Sequence, residues 1–205
     1  MKIRNKKFIY LISPNKIKNR SFYISLNLVL KSNKVKFFQL RLKKENIKKK
    51  IIIAKKILKI CKKNRVKLII NDNPSLVLKV NAHGCHLGQK DMNIVKAKKI
   101  LKNKIVGITC HNSISLARKA YLNGASYIAL GAFYKTKTKK VTHNANIKTL
   151  NKIKKSVNLP VVAIGGINEK NYKKLLLNKA DFLAISGYVW RNKKLKPHEA
   201  IKNLS

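Results

Sequence analysis

The chain has 205 residues, of which 45% are hydrophobic, so it can bury one sizeable core and has little room for a second domain; we expect a single domain over residues 1–205. Its three cysteines are odd in number and form no Cys-x-x-Cys pair, which argues against a disulfide framework or a zinc knuckle and favours a reducing cytoplasm. The formal charge is +43 at pH 7, from 49 Lys and Arg against six Asp and Glu, so a carboxylate is a rare side chain in this protein.

Eight apolar segments along the chain have the composition of β-strands. Several of them are continuously apolar rather than alternating, as is typical of strands that are covered on both faces. The predicted strands, in chain order, are 8–13, 35–42, 66–71, 84–87, 105–109, 127–131, 161–164 and 182–186.

Amphipathic segments separate these strands. Between the second and third strands, apolar residues recur at steps of four and three and so line one helix face. They are Ile47, Ile51, Ala54, Leu58 and Cys61. Later helices are predicted over 113–122, 147–157 and 168–177, and Asn168 is the expected N-cap of the last. Eight strand-then-helix units in this length predict a compact (β/α)8 barrel, the TIM-barrel fold.

Polar residues and glycines gather where the predicted strands end, and barrel enzymes place their sites on that rim. Scattered surface polarity would not select one rim, so we expect a functional site there. The strand ends concerned are Gln39, Arg41 and Lys43; Asn71 and Asp72; 86–91; 109–111; 131–139; Gly165 and Gly166; and Ser186 and Gly187.

The rim residues predict two sites for anionic groups. Gln39, Arg41 and Lys43 alternate along a strand, so their side chains point to one side, and a forked guanidinium beside a compact ammonium suits a diphosphate. Backbone N–H groups at 165–166 and 186–187, near helix starts, suit a phosphate monoester. A loop adds two hydroxyls and a cation, from Thr136, Thr138 and Lys139.

Two of the six acidic residues, Asp72 and Asp91, lie in short polar clusters that follow apolar strand-like runs. Mg²⁺ usually takes one or two protein carboxylates and completes its octahedron with phosphate oxygens and water. Because both acids share the rim with the predicted diphosphate site, the sequence predicts that they form a magnesium site.

Seven segments, spread over nearly the whole chain, resemble in their order and spacing the thiamine phosphate synthase family. They are Tyr10-Leu11-Ile12, Gln39-Leu40-Arg41-Leu42-Lys43, Asn71-Asp72, His86-Leu87-Gly88-Gln89-x-Asp91, the loop 131–139, Ala163-Ile164-Gly165-Gly166-Ile167 and Ala184-Ile185-Ser186. The resemblance implies a transferase of thiamine biosynthesis that joins hydroxymethylpyrimidine diphosphate to thiazole phosphate, or to its carboxylate, and releases pyrophosphate with the help of Mg²⁺. In such an enzyme the diphosphate departs to leave a resonance-stabilised pyrimidine cation, which the thiazole nitrogen captures.

The resemblance also implies a role for individual residues. Charge on the departing diphosphate would be neutralised by Arg41, Lys43 and Lys139, with Thr109 in a position where the family usually has serine. The pyrimidine diphosphate would contact Gln39, Leu40, Arg41, Leu42, Lys43, Asn71, Thr109 and Lys139, the magnesium would bind Asp72 and Asp91, and the thiazole phosphate would contact Thr136, Lys137, Thr138, Gly166, Ile185 and Ser186. Two further departures from the family pattern are Lys135 in place of a common proline and His83 in place of a common aspartate.

One alternative is a thiazole tautomerase, a sister family with the same barrel and a histidine at the position of His111. Tautomerases tend to lack the complete His-x-Gly-Gln-x-Asp and Thr-x-Thr-Lys segments, and this chain has both, which favours the synthase. The thiazole form that is used and the oligomeric state are left open by the sequence.

A second alternative is a basic nucleic-acid-binding protein, because a charge of +43 attracts any polyanion. The lysines are scattered over nearly every helix face, and the sequence has no aromatic RNA-recognition pattern, helix-turn-helix signal or metal finger. We therefore expect nonspecific polyanion binding without a dedicated nucleic-acid partner. No apolar run is long enough to span a bilayer and no signal-peptide region follows the basic start, so no membrane partner is expected.

Overall fold

A computed structural model of the chain describes residues 7–17, 19–136 and 142–204. Eight parallel strands, each hydrogen-bonded to its neighbours in chain order, form a closed barrel, and β8 pairs with β1 to complete it. The prediction of a (β/α)8 barrel is confirmed. The strands are β1 (Ile9–Ile12), β2 (Val35–Leu40), β3 (Lys67–Asn71), β4 (Gly84–Leu87), β5 (Ile105–His111), β6 (Tyr127–Gly131), β7 (Val161–Ile164) and β8 (Phe182–Ile185).

Helices follow the strands and cover the outside of the barrel. Among the described residues, five helices begin at a side chain that accepts a hydrogen bond from a backbone N–H of the first turn, which satisfies a donor that the helix itself leaves unpaired. These capping residues are Asn46, Asn73, Asn93, Ser113 and Asn146. The helices are α1 (Arg20–Leu30), α2 (Ile47–Lys63), α3 (Pro74–Val80), α4 (Ile94–Leu101), α5 (Ile114–Leu122), α6 (Ile147–Ser156), α7 (Tyr172–Leu177), α8 (Gly187–Trp190) and α9 (Pro197–Lys202).

The predicted start of α7 is wrong. The helix begins at Tyr172 with Asn171 in the N-cap position, not at Asn168. The side-chain oxygen of Asn168 instead accepts from the backbone N–H of Lys170 at 2.9 Å, which holds a turn ahead of the helix. Among the strands, β2 ends at Leu40, two residues earlier than predicted, and β5 extends two residues further, to His111.

Apolar side chains form two layers because neighbouring residues of a strand point to opposite faces. One layer lies between the strands and the helices and contains most of the buried apolar residues. The smaller layer fills the inside of the barrel and includes Tyr10, Phe37, Ile69, Tyr127 and Val162. These side chains close the lower part of the barrel, so the open space lies at the C-terminal ends of the strands.

A membrane-spanning helix was also sought. Over the residues described, none of the helices combines the length and the apolar character needed to cross a bilayer. That residues 1–205 form one domain stays a prediction.

Candidate active site

A cavity of about 620 Å³ opens at the C-terminal ends of the strands. Each of the eight strands contributes at least one lining residue, so the site is built by the barrel rather than by one loop. The strand residues that line it are Ile12, Gln39, Asn71, His86, Thr109, His111, Gly131, Ile164, Ala184 and Ile185. The rim that the sequence predicted is therefore the wall of the cavity.

The end of β2 divides its residues between cavity and core. Gln39, Arg41 and Lys43 line the large cavity, and Gln39 is only 2% exposed. Leu40 and Leu42 are buried in the layer between strands and helices. The alternation that the sequence predicted thus continues past the end of the strand. The side chains of Leu40 and Leu42 do not line this cavity.

Arg41 is held in place by the chain that follows β1. Its guanidinium Nη1 donates to Asn15 Oδ1 at 3.2 Å, and its backbone N–H donates to Ser13 Oγ at 2.9 Å. Asn15 lines the cavity as well. The sequence analysis did not single out Asn15, although its position just after the first strand was a usable signal.

Asp72 and Asp91 face each other across the ends of β3 and β4. Asp72 has a φ of 63°, a left-handed conformation in which Asp and Asn are enriched. Its Oδ2 lies 3.4 Å from Lys43 Nζ, and Asp91 Oδ2 accepts from the backbone N–H of Gly88 at 2.6 Å. The structure brings the two predicted metal ligands together.

The electrostatics of this pair suit a cation. Burial raises the pKa of Asp72, and the hydrogen bond and negative charge of Asp91 raise it further, while Lys43 acts in the opposite direction. Within residues 7–17, 19–136 and 142–204, no cluster of three or more His, Cys, Asp or Glu is present. Two carboxylates without a third protein donor of these types match the way in which Mg²⁺ shares its coordination with phosphate and water.

The ends of β6 and β7 form a second, glycine-rich part of the wall. Gly165 and Gly166 have φ values of 109° and 64°, which L side chains rarely adopt. A Cβ on Gly166 would collide with Tyr134 and with the carbonyl oxygen of Lys135. The backbone N–H of Tyr134 donates to the carbonyl of Gly165 at 3.1 Å. The residues that follow β6 thus pack directly against Gly165 and Gly166, and only glycine fits at these two positions.

The thiazole-phosphate residues that were predicted are distributed as follows. Thr136, Gly166, Ile185 and Ser186 all line the cavity. Ser186 Oγ donates to the carbonyl oxygen of Ser13 at 3.3 Å, which links the end of β8 to the end of β1. The predicted residues Lys137, Thr138 and Lys139 lie outside the described residues.

Two histidines meet at the edge of the cavity. The rings of His111, the last residue of β5, and His143 lie with their centroids 4.2 Å apart. The sequence analysis singled out His111 but missed His143, which lies 32 positions further along the chain. Arg191 and Lys193, which also line the cavity, were missed too.

His86 was known from its motif but was given no role. Its Nε2 lies 2.9 Å from Thr109 Oγ1, and its Nδ1 lies 2.9 Å from Tyr127 Oη. Burial lowers the pKa of His86 to about 4, with Asp91 opposing this effect and Arg41 adding to it. At neutral pH the ring is therefore uncharged, and Thr109 is part of a buried hydrogen-bonded chain.

The fold and the cavity together define the class, a TIM-barrel enzyme with its site at the C-terminal rim. Comparison with known proteins refines this class. A family model described as thiamine monophosphate synthase matches residues 9–189. The thiamine-phosphate synthase of Pelagibacter ubique (strain HTCC1062) is 66% identical over 200 residues, which cover 98% of this chain and 97% of that protein. The thiamine-phosphate synthase of Nitrosomonas eutropha is 38% identical over 179 residues, 87% of this chain and 84% of that protein.

A solved structure gives the same result. The thiamine phosphate pyrophosphorylase of Pyrococcus furiosus superimposes with a TM-score of 0.86 at 29% identity, covering 98% of this chain and 95% of that one. The chain belongs to the thiamine monophosphate synthase family, and it is a transferase. The resemblance seen in the sequence is confirmed.

Proposed function

We propose that this protein joins hydroxymethylpyrimidine diphosphate to thiazole phosphate, or to its carboxylate, and releases pyrophosphate. One observation supports this above all: a single cavity has charged side chains on one wall, from Arg41 to Asp91, and the glycines 165–166 on the other. Such a cavity can hold two phosphorylated substrates with their reacting carbon and nitrogen between them. The names of the relatives agree with this reaction.

The wall formed by β2 to β5 suits the pyrimidine diphosphate. Arg41 and Lys43 supply positive charge, and the buried amide of Gln39 can hydrogen-bond the substrate below them. The C–O bond to the diphosphate breaks, and its electrons stay on the departing oxygen. Cations placed there in advance neutralise the charge that develops, which is the main catalytic task of this site. Asn71, Thr109 and Lys139 complete the proposed set, together with the backbone of Leu40 and Leu42.

Asp72 and Asp91 would hold Mg²⁺. The fit rests on their chemistry, because two close carboxylates with a raised pKa on Asp72 are stabilised by a hard cation. When bound, Mg²⁺ neutralises negative charge on diphosphate oxygens. Lys43, 3.4 Å from Asp72, places its own charge on the same side of the cavity.

The wall formed by β6 to β8 suits the phosphate of the thiazole. Backbone N–H groups beside Gly166 and at the start of α8 are good partners for a phosphate that stays intact during the reaction. Thr136, Lys137, Thr138, Ile185 and Ser186 complete this proposed subsite. With the phosphate anchored there, the thiazole nitrogen attacks the pyrimidine methylene cation and forms the new C–N bond. Neither step needs a strong general base.

The tautomerase alternative depends on one observation, the contact of His111 with His143 at the rim. Moving a proton on a thiazole needs an acid or a base, and an imidazole can serve as either. The paired carboxylates and the cationic wall have no task in that reaction. The synthase therefore accounts for more of the cavity.

A direct test is to incubate the purified protein with both phosphorylated substrates and Mg²⁺ and to measure thiamine phosphate and pyrophosphate. We expect the two products in equal amounts, and none without Mg²⁺. The same assay with the thiazole phosphate or its carboxylate identifies the form that is used. Absence of both products with either form would refute the proposed reaction. We expect this activity without any added polyanion.

A further inference from the structure

Four side chains from four strands form a hydrogen-bonded chain inside the barrel. Tyr10 Oη on β1 lies 2.7 Å from Tyr127 Oη on β6, and Tyr127 Oη lies 2.9 Å from Nδ1 of His86 on β4. The other ring nitrogen of His86 lies 2.9 Å from Oγ1 of Thr109 on β5. The chain begins in the barrel interior and ends at the cavity, since both His86 and Thr109 line it.

Packing fixes this chain in one arrangement. The rings of His86 and Tyr127 are stacked, with centroids 5.7 Å apart and planes 16° apart, and the rings of Tyr10 and Tyr127 are 5.7 Å apart. Gly107 makes room for Tyr127, because a Cβ at that position would collide with the phenol ring. Tyr10 and Tyr127 are each only 2% exposed, so water does not compete for their hydroxyls.

The direction of the hydrogen bonds follows from the buried end. Within the described part of the chain, Tyr127 Oη is the one hydrogen-bonding partner of the Tyr10 hydroxyl. A buried hydroxyl hydrogen without an acceptor is costly, so Tyr10 donates to Tyr127. Tyr127 must then use its own hydrogen to donate to Nδ1 of His86.

The hydrogen bond from Tyr127 determines which ring nitrogen of His86 donates to Thr109 at the cavity. A ring nitrogen that accepts a hydrogen bond carries no hydrogen, so a ring with one accepting nitrogen is uncharged and carries a single hydrogen. Because Nδ1 accepts from Tyr127, that hydrogen is on Nε2, which donates to Thr109 Oγ1. The hydroxyl hydrogen of Thr109 is then directed away from His86. A threonine is also stiff about χ1, which keeps the hydroxyl in place.

We propose that Tyr10, Tyr127 and His86 are positioning residues, which orient the Thr109 hydroxyl as a hydrogen-bond donor towards an anionic substrate oxygen in the cavity. That this acceptor is an oxygen of the diphosphate rests on the function proposed above. Their role in this proposal is indirect: they set the direction of one hydrogen bond, that of the Thr109 hydroxyl, before the substrate arrives. Preorganised donors of this kind stabilise charge that develops on a leaving group.

The tautomer of His86 tests the proposed direction of the hydrogen bonds from Tyr10 to Thr109, and this test needs no substrate. In protein labelled with ¹⁵N-histidine, long-range ¹H–¹⁵N spectra distinguish a protonated Nε2 from a protonated Nδ1. The protein has five histidines, so the His86 signal is assigned by its absence from His86→Gln and, independently, by its persistence when the other four are replaced one at a time. We expect the Nε2–H tautomer at pH 7. The Nδ1–H tautomer, or a doubly protonated ring, would overturn the proposal.

A kinetic cycle tests whether Tyr127 acts through Thr109. Tyr127→Phe keeps the ring, and Thr109→Val keeps the shape of the side chain while removing the hydroxyl. We expect Tyr127→Phe to lower kcat about 10-fold with little change in KM in the wild-type background, the scale of one lost supporting hydrogen bond. In the Thr109→Val background it should lower kcat no further.

Tyr23→Phe, a loss of the same hydroxyl on the outer helix α1, is the matched control and should leave kcat unchanged. If Tyr127→Phe lowers kcat equally in both backgrounds, Tyr127 has only a structural role and the proposal is wrong. A wild-type protein that releases no pyrophosphate would instead refute the proposed function. The histidine spectra would still test the direction of the hydrogen bonds from Tyr10 to Thr109.

Discussion

The two walls of the cavity offer different kinds of group for binding an anion. On the wall from β2 to β5 the candidate groups are side chains: Arg41, Lys43 and the pair Asp72 and Asp91. On the wall from β6 to β8 they are mainly backbone N–H groups around Gly165–Gly166 and α8. In the proposed reaction, charge grows on the departing diphosphate, while the thiazole phosphate remains as it is. In this proposal, cationic side chains face the oxygen on which charge develops, and backbone donors hold the phosphate that stays intact, with Lys135, Arg191 and Lys193 also lining the cavity.

The largest effect should come from the charged wall. Arg41→Ala removes a fork of donors that Asn15 holds towards the cavity, so we expect kcat/KM for pyrophosphate release to fall roughly 10³-fold. Arg118→Ala removes the same charge from the exposed face of α5 and is the matched control. Equal activities of the two variants would show that Arg41 contributes only to the net charge.

Lys139 is predicted to act on the same diphosphate, although it lies outside the described residues. Lys139→Ala should lower kcat by roughly 10²–10³-fold, the scale for one preorganised group that stabilises developing charge. Lys62→Ala, on the exposed face of α2, should have no effect. Steady-state pyrophosphate release measures both, and a silent Lys139→Ala would reduce this residue to one more solvated lysine.

A substitution in the glycine-rich wall from β6 to β8 should change mainly the KM for the thiazole substrate. Gly166→Ala forces a Cβ against the carbonyl of Lys135 at a φ of 64°, so we expect KM for the thiazole substrate to rise about 10-fold and stability to fall by about 1–2 kcal/mol. Gly124→Ala is a close control, because its φ is 75° but its nearest contact would be 3.8 Å away. It should lose similar stability and keep KM. A raised KM in both variants would point to general strain instead.

The pair Asp72 and Asp91 should lower the stability of the metal-free protein at neutral pH. The folded state raises the pKa of Asp72 above its unfolded value, so the folded protein binds more protons in the window between the two values, and stability falls as pH rises through it. Above that window the ionised pair destabilises the metal-free fold. Asp72→Asn should therefore raise the melting temperature slightly at pH 7 without Mg²⁺, and remove the stabilisation by added Mg²⁺. A metal-free variant that melts below the wild type at pH 7 would contradict this account.

The sequence was sufficient for the eight strands and for most of the rim, because strand ends in a TIM barrel converge regardless of loop details. It failed where a feature depends on contacts between distant segments. The Tyr10–Tyr127 hydrogen bond joins residues 117 positions apart, and the ring contact of His111 with His143 also joins distant positions of the chain. The cap of α7 was misplaced by three residues because Asn168 and Asn171 are both of a residue type that favours N-caps, and a hydrogen-bonded turn at Asn168 delays the start of the helix.

The smallest effect is expected at His111, and it provides the most direct test of the central claim. Pyrophosphate release and thiazole isomerisation should be measured together for the wild type, Arg41→Ala and His111→Ala. We predict pyrophosphate release by the wild type, a severe loss in Arg41→Ala, a modest loss in His111→Ala through disturbed positioning, and no isomerisation that depends on His111. Isomerisation that requires His111, with no pyrophosphate released by the wild type, would contradict the account and identify a tautomerase.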